Sequence, residues 1–218
     1  MRFRLERPAV FQTDYVDVST GKAAYTLTAH HATRFTTLDL VKHSENRFSQ
    51  IASICCRELL ADTIELTDIE LLATVPTITR AGESYAEIIG ERTTIKAKKY
   101  VRKEGKSRIW TIRTPTAATF IWTADDRELI LRTSDGIEVA YLRPPKYGDD
   151  PATGFHTIFH IEDDVLADMD QIIVSGTYLK YKMDHSGSTA SVQNTYMPAV
   201  AVSASGLVHT SSAAPSQS

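Results

Sequence analysis

Eight of the residues from Lys96 to Arg113 are basic: Lys96, Lys98, Lys99, Arg102, Lys103, Lys106, Arg108 and Arg113. Only Glu104 is acidic there, so the window carries +7 in a chain of net charge −3, and the remainder carries −10. Clustered ammonium and guanidinium groups attract phosphate, at about 1 kcal/mol each near an anionic membrane surface. Lys96, Lys98, Lys99, Arg102, Lys103 and Lys106 are therefore the candidate lipid- or phosphate-binding residues. A strand through this window puts Lys96 and Lys98 on one face. The same pattern also describes a solvated hairpin whose lysines guard a sheet edge against pairing. Binding to nucleic acid would want interleaved aromatic rings for stacking. Only Tyr100 and Trp110 qualify, and Trp110 reads as core, so a nucleic-acid partner is not expected.

Other residue types that could do chemistry have plainer readings. Glu162, Asp163, Asp164, Asp168 and Asp170 offer oxygen ligands, but the D-x-[DN]-x-[DN]-G loop and its closing Glu are missing. Acidic groups favour a helix N-terminus, which accounts for them. His156 and His160 would share a strand face with Ile158, yet a metal needs a third ligand and a second shell. Thr157 stands where an HExxH motif would have its Glu. His30 and His31 diverge on a strand. Cys55 and Cys56 are adjacent, a pairing that strains a disulfide, and no further ligands are spaced nearby. Both read as reduced thiols, at least one of them packed. No P-loop, dinucleotide fingerprint or nucleophile elbow is present. Ser175-Gly176 has no G-x-S-x-G frame, and Gly176 reads as a point of close packing. No metal, cofactor or catalytic residue is indicated. A noncatalytic role is the leading reading, with an enzyme assembled from distant residues as an alternative.

The elements that must position these residues are mostly strands. Val10 to Val18, Ala24 to His30, Phe35 to Lys42 and Phe48 to Cys56 are β-prone, with a turn at Ser19-Thr20-Gly21-Lys22. Asp62 to Ala73 suits a strand or a short helix. Thr93 to Arg102 reads as one strand, turned at Lys103-Glu104-Gly105-Lys106 and returned over Ser107 to Arg113. Phe120-Ile121-Trp122, Glu128 to Thr133 and Ile137 to Arg143 follow with turn residues between them, a spacing that predicts a β-meander. A polar loop over 147–154 and a strand from Phe155 to Ile161 lead into an apolar segment over about 163–183, whose Val, Ile, Thr and Tyr would also suit a strand but whose spacing is best read as a helix. Its apolar residues occupy most of its circumference, the mark of a helix surrounded by protein. Residues 1–185 read as one mainly β domain. Residues 186–218, rich in Ser, Ala and Thr, read as a disordered tail.

One order of motifs is distinctive. Ser107-Arg108-Ile109-Trp110, Phe120-Ile121-Trp122, Glu128-Leu129-Ile130-Leu131 and Ile137-Glu138-Val139-Ala140-Tyr141 are followed by His160-Ile161-Glu162. Met169-Asp170-Gln171-Ile172-Ile173-Val174-Ser175 and Tyr178-Leu179-Lys180-Tyr181 complete it. This order resembles an uncharacterised fungal domain-of-unknown-function family, itself similar to the tubby C-terminal, LURP-one-related and phospholipid-scramblase superfamily. The resemblance covers residues 94–183 best. It implies a closed antiparallel β-barrel of about twelve strands around one apolar C-terminal helix. Gly176 would then let the helix approach the barrel wall, and Trp110, Trp122, Leu129, Leu131, Ile172, Ile173 and Leu179 should be buried. Neither the phosphoinositide contacts of tubby domains nor the calcium segment of scramblases falls on particular positions here.

The functional expectation is a module that binds anionic phospholipid headgroups peripherally. The alternative is a protein-interaction or regulatory domain whose basic hairpin serves solubility alone. The N-terminus from Met1 to Pro8 is charged and lacks a signal peptide's apolar stretch. No run approaches the ~18 apolar residues of a membrane span, since Asp168, Asp170, Gln171, Lys180 and Lys182 interrupt the segment from Val165 to Met183. A cytoplasmic or nucleocytoplasmic chain, peripherally associated with membrane, is expected.

Overall fold

The computed structural model describes residues 1–7, 12–44, 47–58, 60–67, 73–74, 88–89, 92–105, 108–125, 128–145 and 156–186. Two antiparallel meanders organise them. The first comprises β1 (Arg2–Leu5), β2 (Gln12–Asp17), β3 (Ala23–Ala32), β4 (Phe35–Ser44), β5 (Arg47–Arg57) and β6 (Thr63–Thr67). A separate ribbon pairs β7 (Ala73–Thr74) with β8 (Ile88–Ile89), and β9 (Arg92–Lys96) returns to pair with β6. One helical turn, α1 (Ala97–Tyr100), connects β9 to the second meander. That meander comprises β10 (Val101–Lys103), β11 (Ile109–Arg113), β12 (Thr119–Asp125), β13 (Glu128–Thr133), β14 (Glu138–Arg143) and β15 (Thr157–Ile161). A 3-10 segment, Asp163–Asp168, then leads into α2 (Met169–Ser186).

The meanders fuse because β1 pairs with β15, placing Phe3 opposite Phe159 and Arg2 opposite His160. The result is a 13-stranded antiparallel sheet with β10 at one edge and β9 at the other. Thirteen strands laid flat would put those edges about 58 Å apart, at about 4.8 Å per strand. The chain from Lys96 to Val101 spans at most about 18 Å. The connectivity therefore obliges the sheet to curl until its edges nearly meet. Among the described residues no ladder joins β9 to β10, so the hydrogen-bonded sheet is open along this seam.

The sheet curls around α2. Residues 172–177 are all buried, with Ile172, Ile173, Ser175 and Thr177 wholly so. Six consecutive residues face every direction around a helix, so this stretch has no solvent side. Each polar group it brings inside finds a partner on the wall. The Trp122 indole N–H donates to Ser175 Oγ at 3.0 Å, and Thr177 Oγ1 meets the Tyr15 hydroxyl at 2.8 Å. Gly176 is where helix and wall come closest: a Cβ there would lie 2.8 Å from Phe159 Cζ. Trp122, Leu129, Leu131, Ile172, Ile173 and Leu179 are buried as expected.

Four expectations are corrected. The helix expected over about 163–183 begins as a 3-10 segment, Asp163–Asp168, and is α-helical only from Met169, running on to Ser186. Thr93 to Arg102 is not one strand, because α1 interrupts it. Arg2–Leu5, read from sequence only as a charged terminus, is a central strand with Phe3 and Leu5 in the core. Trp110 is only half-buried. The loop over 147–154 and the tail beyond Ser186 lie outside the described residues.

Candidate functional site

The basic residues sit on the seam. Ala97, Tyr100 and Val101 are buried, at a spacing of three and four that points one face of a helical turn inward. The Ala97 N–H donates to the Asp62 carbonyl at 2.9 Å, and the Val101 N–H closes the turn onto Ala97. The Tyr100 hydroxyl donates to the Gln171 carbonyl of α2 at 3.3 Å. Pinned this way, α1 thrusts Lys98 and Lys99 into solvent. Lys98 is therefore on a helical turn and does not share a strand face with Lys96.

Alternation on β10 then divides the remaining cations. Lys103 lies opposite Trp110 and Arg102 opposite Thr111. Lys103 and Trp110 thus share one face, while Arg102 points to the other. Lys96, Lys98, Lys99, Arg102, Lys103 and Arg108 are all exposed, and the ion pairs among the described residues involve none of them. Lys106 lies outside the described residues.

A groove of about 460 Å³ runs between this hairpin and the C-terminal half of α2. Lys98, Lys103, Arg108 and Lys182 stand around it, over a floor that includes Val101, Trp110 and Leu179. Tyr178 and Met183 complete the helix side. Lys96, Lys99 and Arg102 do not line it. Sequence reading missed Lys182, Tyr178 and Met183, which come from the far end of the chain and reach the hairpin only through the fold. Trp110, expected in the core, is half-buried and forms part of the floor.

Asp62 fixes the helix side of the groove. Its carboxylate, 8% exposed, accepts from the Tyr178 hydroxyl at 2.9 Å and pairs with Lys182 Nζ at 3.1 Å. The Arg57 N–H donates to its other oxygen at 2.9 Å. Burial raises the Tyr178 hydroxyl above its ordinary range, and the Asp62 charge adds to that. Lys182 is thus neutralised within the protein. Among the described residues Lys98, Lys103 and Arg108 have no carboxylate partner, and they stand over an apolar floor, an arrangement suited to an anion joined to an apolar body.

Most of the other candidates make contacts within the protein. Asp163 pairs with the N-terminal ammonium at 3.1 Å, and Asp170 pairs with Lys42 at 3.0 Å. His160 stacks on Tyr141 and meets Glu162 at 2.9 Å, while His156 Nδ1 lies 3.0 Å from the Leu5 carbonyl. His30 pairs with Asp39 at 3.3 Å. Cys55 and Cys56 are free thiols, and burial pushes Cys56 up to about 12, helped by the Asp62 charge. Among the described residues no group of three His, Cys, Asp or Glu side chains is placed to hold a metal.

The chain matches no family model, no curated protein and no solved structure. Among the described residues no helix is long and apolar enough to cross a membrane.

Proposed function

We propose that this chain is a noncatalytic module that docks on anionic phospholipid headgroups through the groove beside the seam. The observation that carries this reading is the trio Lys98, Lys103 and Arg108, unpaired among the described residues and set around Val101, Trp110 and Leu179. Ion-paired surface cations would offer little to a ligand, whereas among the described residues these have no carboxylate to release. Lys96 at the end of β9, Lys99 on α1 and Arg102 on the outer face of β10 lie outside the groove and extend the positive field. The proposal takes the fold as the tubby-like barrel, closed across the seam, with the enclosed helix as its plug. Support for that comes from the forced curl of the sheet and the complete burial of mid-α2.

Liposome co-sedimentation of the full chain tests the reading, comparing neutral vesicles with vesicles carrying phosphoinositides at two salt concentrations. At about 1 kcal/mol per cation, the Lys98→Glu/Lys103→Glu/Arg108→Glu variant should lose roughly a hundredfold in membrane affinity. Binding should require the anionic lipid and weaken with salt. No sedimentation with either vesicle would refute the proposal and favour a protein partner for this face.

A further inference from the structure

We propose that a second cavity, at the N-terminal end of α2, binds a small molecule that carries a protonated amine on an apolar body. It is independent of the basic groove and lies around the opposite end of the helix. The cavity measures about 670 Å³, within the range of about 300–1,000 Å³ usual for small-ligand sites. Ile51, Leu66, Ile95 and Val174 supply apolar wall, and Asp168 and Asp170 both line it.

The two carboxylates differ in how they are satisfied. Asp170 accepts from Lys42 Nζ at 3.0 Å on each oxygen and from the Tyr25 hydroxyl at 2.6 Å. Its charge is compensated inside the protein. Asp168 is 5% exposed, and its partner is the Thr116 hydroxyl, 2.9 and 2.8 Å from its two oxygens. One hydroxyl carries one proton, so it serves one oxygen at a time. Among the described residues no cation lies within ion-pair distance of Asp168. The N-terminus of α2 favours this negative charge in part, and a cation delivered into the cavity would supply the counter-charge that no side chain provides among the described residues.

Thr116 is held at the site by its turn. Ala117 takes a positive φ of 64°, and its N–H donates to the Thr114 carbonyl at 2.9 Å. The chemistry of the lining selects the ligand class. With Lys42 committed to Asp170, the remaining charge on the wall is negative, which disfavours an anion. A hard metal ion would want several more oxygen ligands. An ammonium needs one good carboxylate and neighbouring hydroxyls, and the apolar wall receives the carbon chain behind it.

Isothermal titration of the full chain with hexylammonium, 1-hexanol and hexanoate separates charge from apolar fit. Hexylammonium should bind saturably, and the alcohol and the acid about tenfold or more weaker. Asp168→Asn keeps the shape and removes the charge, and should weaken hexylammonium by about the same factor. Thr93→Phe fills the cavity from β9 without touching Asp168, and should abolish binding even if the asparagine variant folds poorly. Equal binding of alcohol and amine would overturn the proposal. So would unchanged binding in either variant, or no hexylammonium binding by the parent protein.

Discussion

Gly176→Ala tests the closest contact in the molecule. The added methyl would sit 2.8 Å from Phe159 Cζ, 3.1 Å from Phe159 Cε1 and 3.3 Å from Trp122 Cζ2. Neither ring has room to retreat: both are wholly buried, 6.3 Å apart and edge-on to one another. Tyr15 stands at 6.3 Å from the Phe159 ring, among its buried neighbours. In an unhindered helix the substitution would stabilise by about 0.8–1 kcal/mol, since glycine is the poorer helix former. Overpacking a rigid core costs about 1–3 kcal/mol, and a contact this short belongs at the upper end. The net expectation is a loss of about 1–2 kcal/mol, or about 2–8 °C in Tm for a chain of this size. Urea unfolding should be run on the parent, Gly176→Ala, Phe159→Leu and the double variant. Phe159→Leu removes the obstructing ring atoms, so alanine there should be neutral or stabilising by up to about 1 kcal/mol. A urea midpoint that rises with Gly176→Ala in the parent would refute the argument that Phe159 and Trp122 close over the helix.

Ser175→Ala leaves the buried Trp122 indole N–H without its acceptor and should cost about 1–3 kcal/mol in chemical unfolding; a change within about 0.5 kcal/mol would mean that the indole finds another partner. Alkaline titration should expose the buried acids. Burial raises Tyr15 from 10.0 to about 12 against a small opposing effect of its Thr177 hydrogen bond, and Cys56 rises from 9.0 to about 12. Both are neutral in the folded state, and the unfolded chain loses these protons first. Their contribution is therefore complete below about pH 9 and is lost as the pH rises towards 12, at about 1.4 kcal/mol per pH unit for each group. A urea midpoint constant to about pH 11 would show that these side chains reach water in the native protein.

Much of the architecture was legible in the chain because it rests on local chemistry. Turn residues stand between runs of β-formers from Phe120 onward, and Glu128–Thr133 occurs as a strand with the expected ends. Gly136 sits at a φ of +83° in the turn that follows, a conformation that costs glycine little. The apolar girth of α2 likewise announced an enclosed helix, since a helix buried on one side alone would keep a polar face. The one-turn helix α1 was missed although its signal was present. Ala97, Tyr100 and Val101 have helical spacing, but a single turn is too short for periodicity to outweigh the β-prone residues on either side. β1 was missed because two arginines flank Phe3 and its register depends on a partner at the other end of the chain.

The site divides along the same line. The order of residues determined that one short segment carries a concentrated positive charge on an otherwise acidic chain, and its apolar spacing pointed to a surrounded helix near the C-terminus. Tertiary structure decided which cations act together. It turned Arg102 away from Lys103, lifted Lys98 onto a helical turn, and brought Lys182 and Met183 across from the helix to make a groove. It also buried Asp168 against the Thr116 hydroxyl, with no cation beside it among the described residues, while giving Asp170 a lysine. Charge is a property of each residue and can be read along a chain. Compensation is a property of pairs, and here the partners meet only because a thirteen-stranded sheet is bent round one helix.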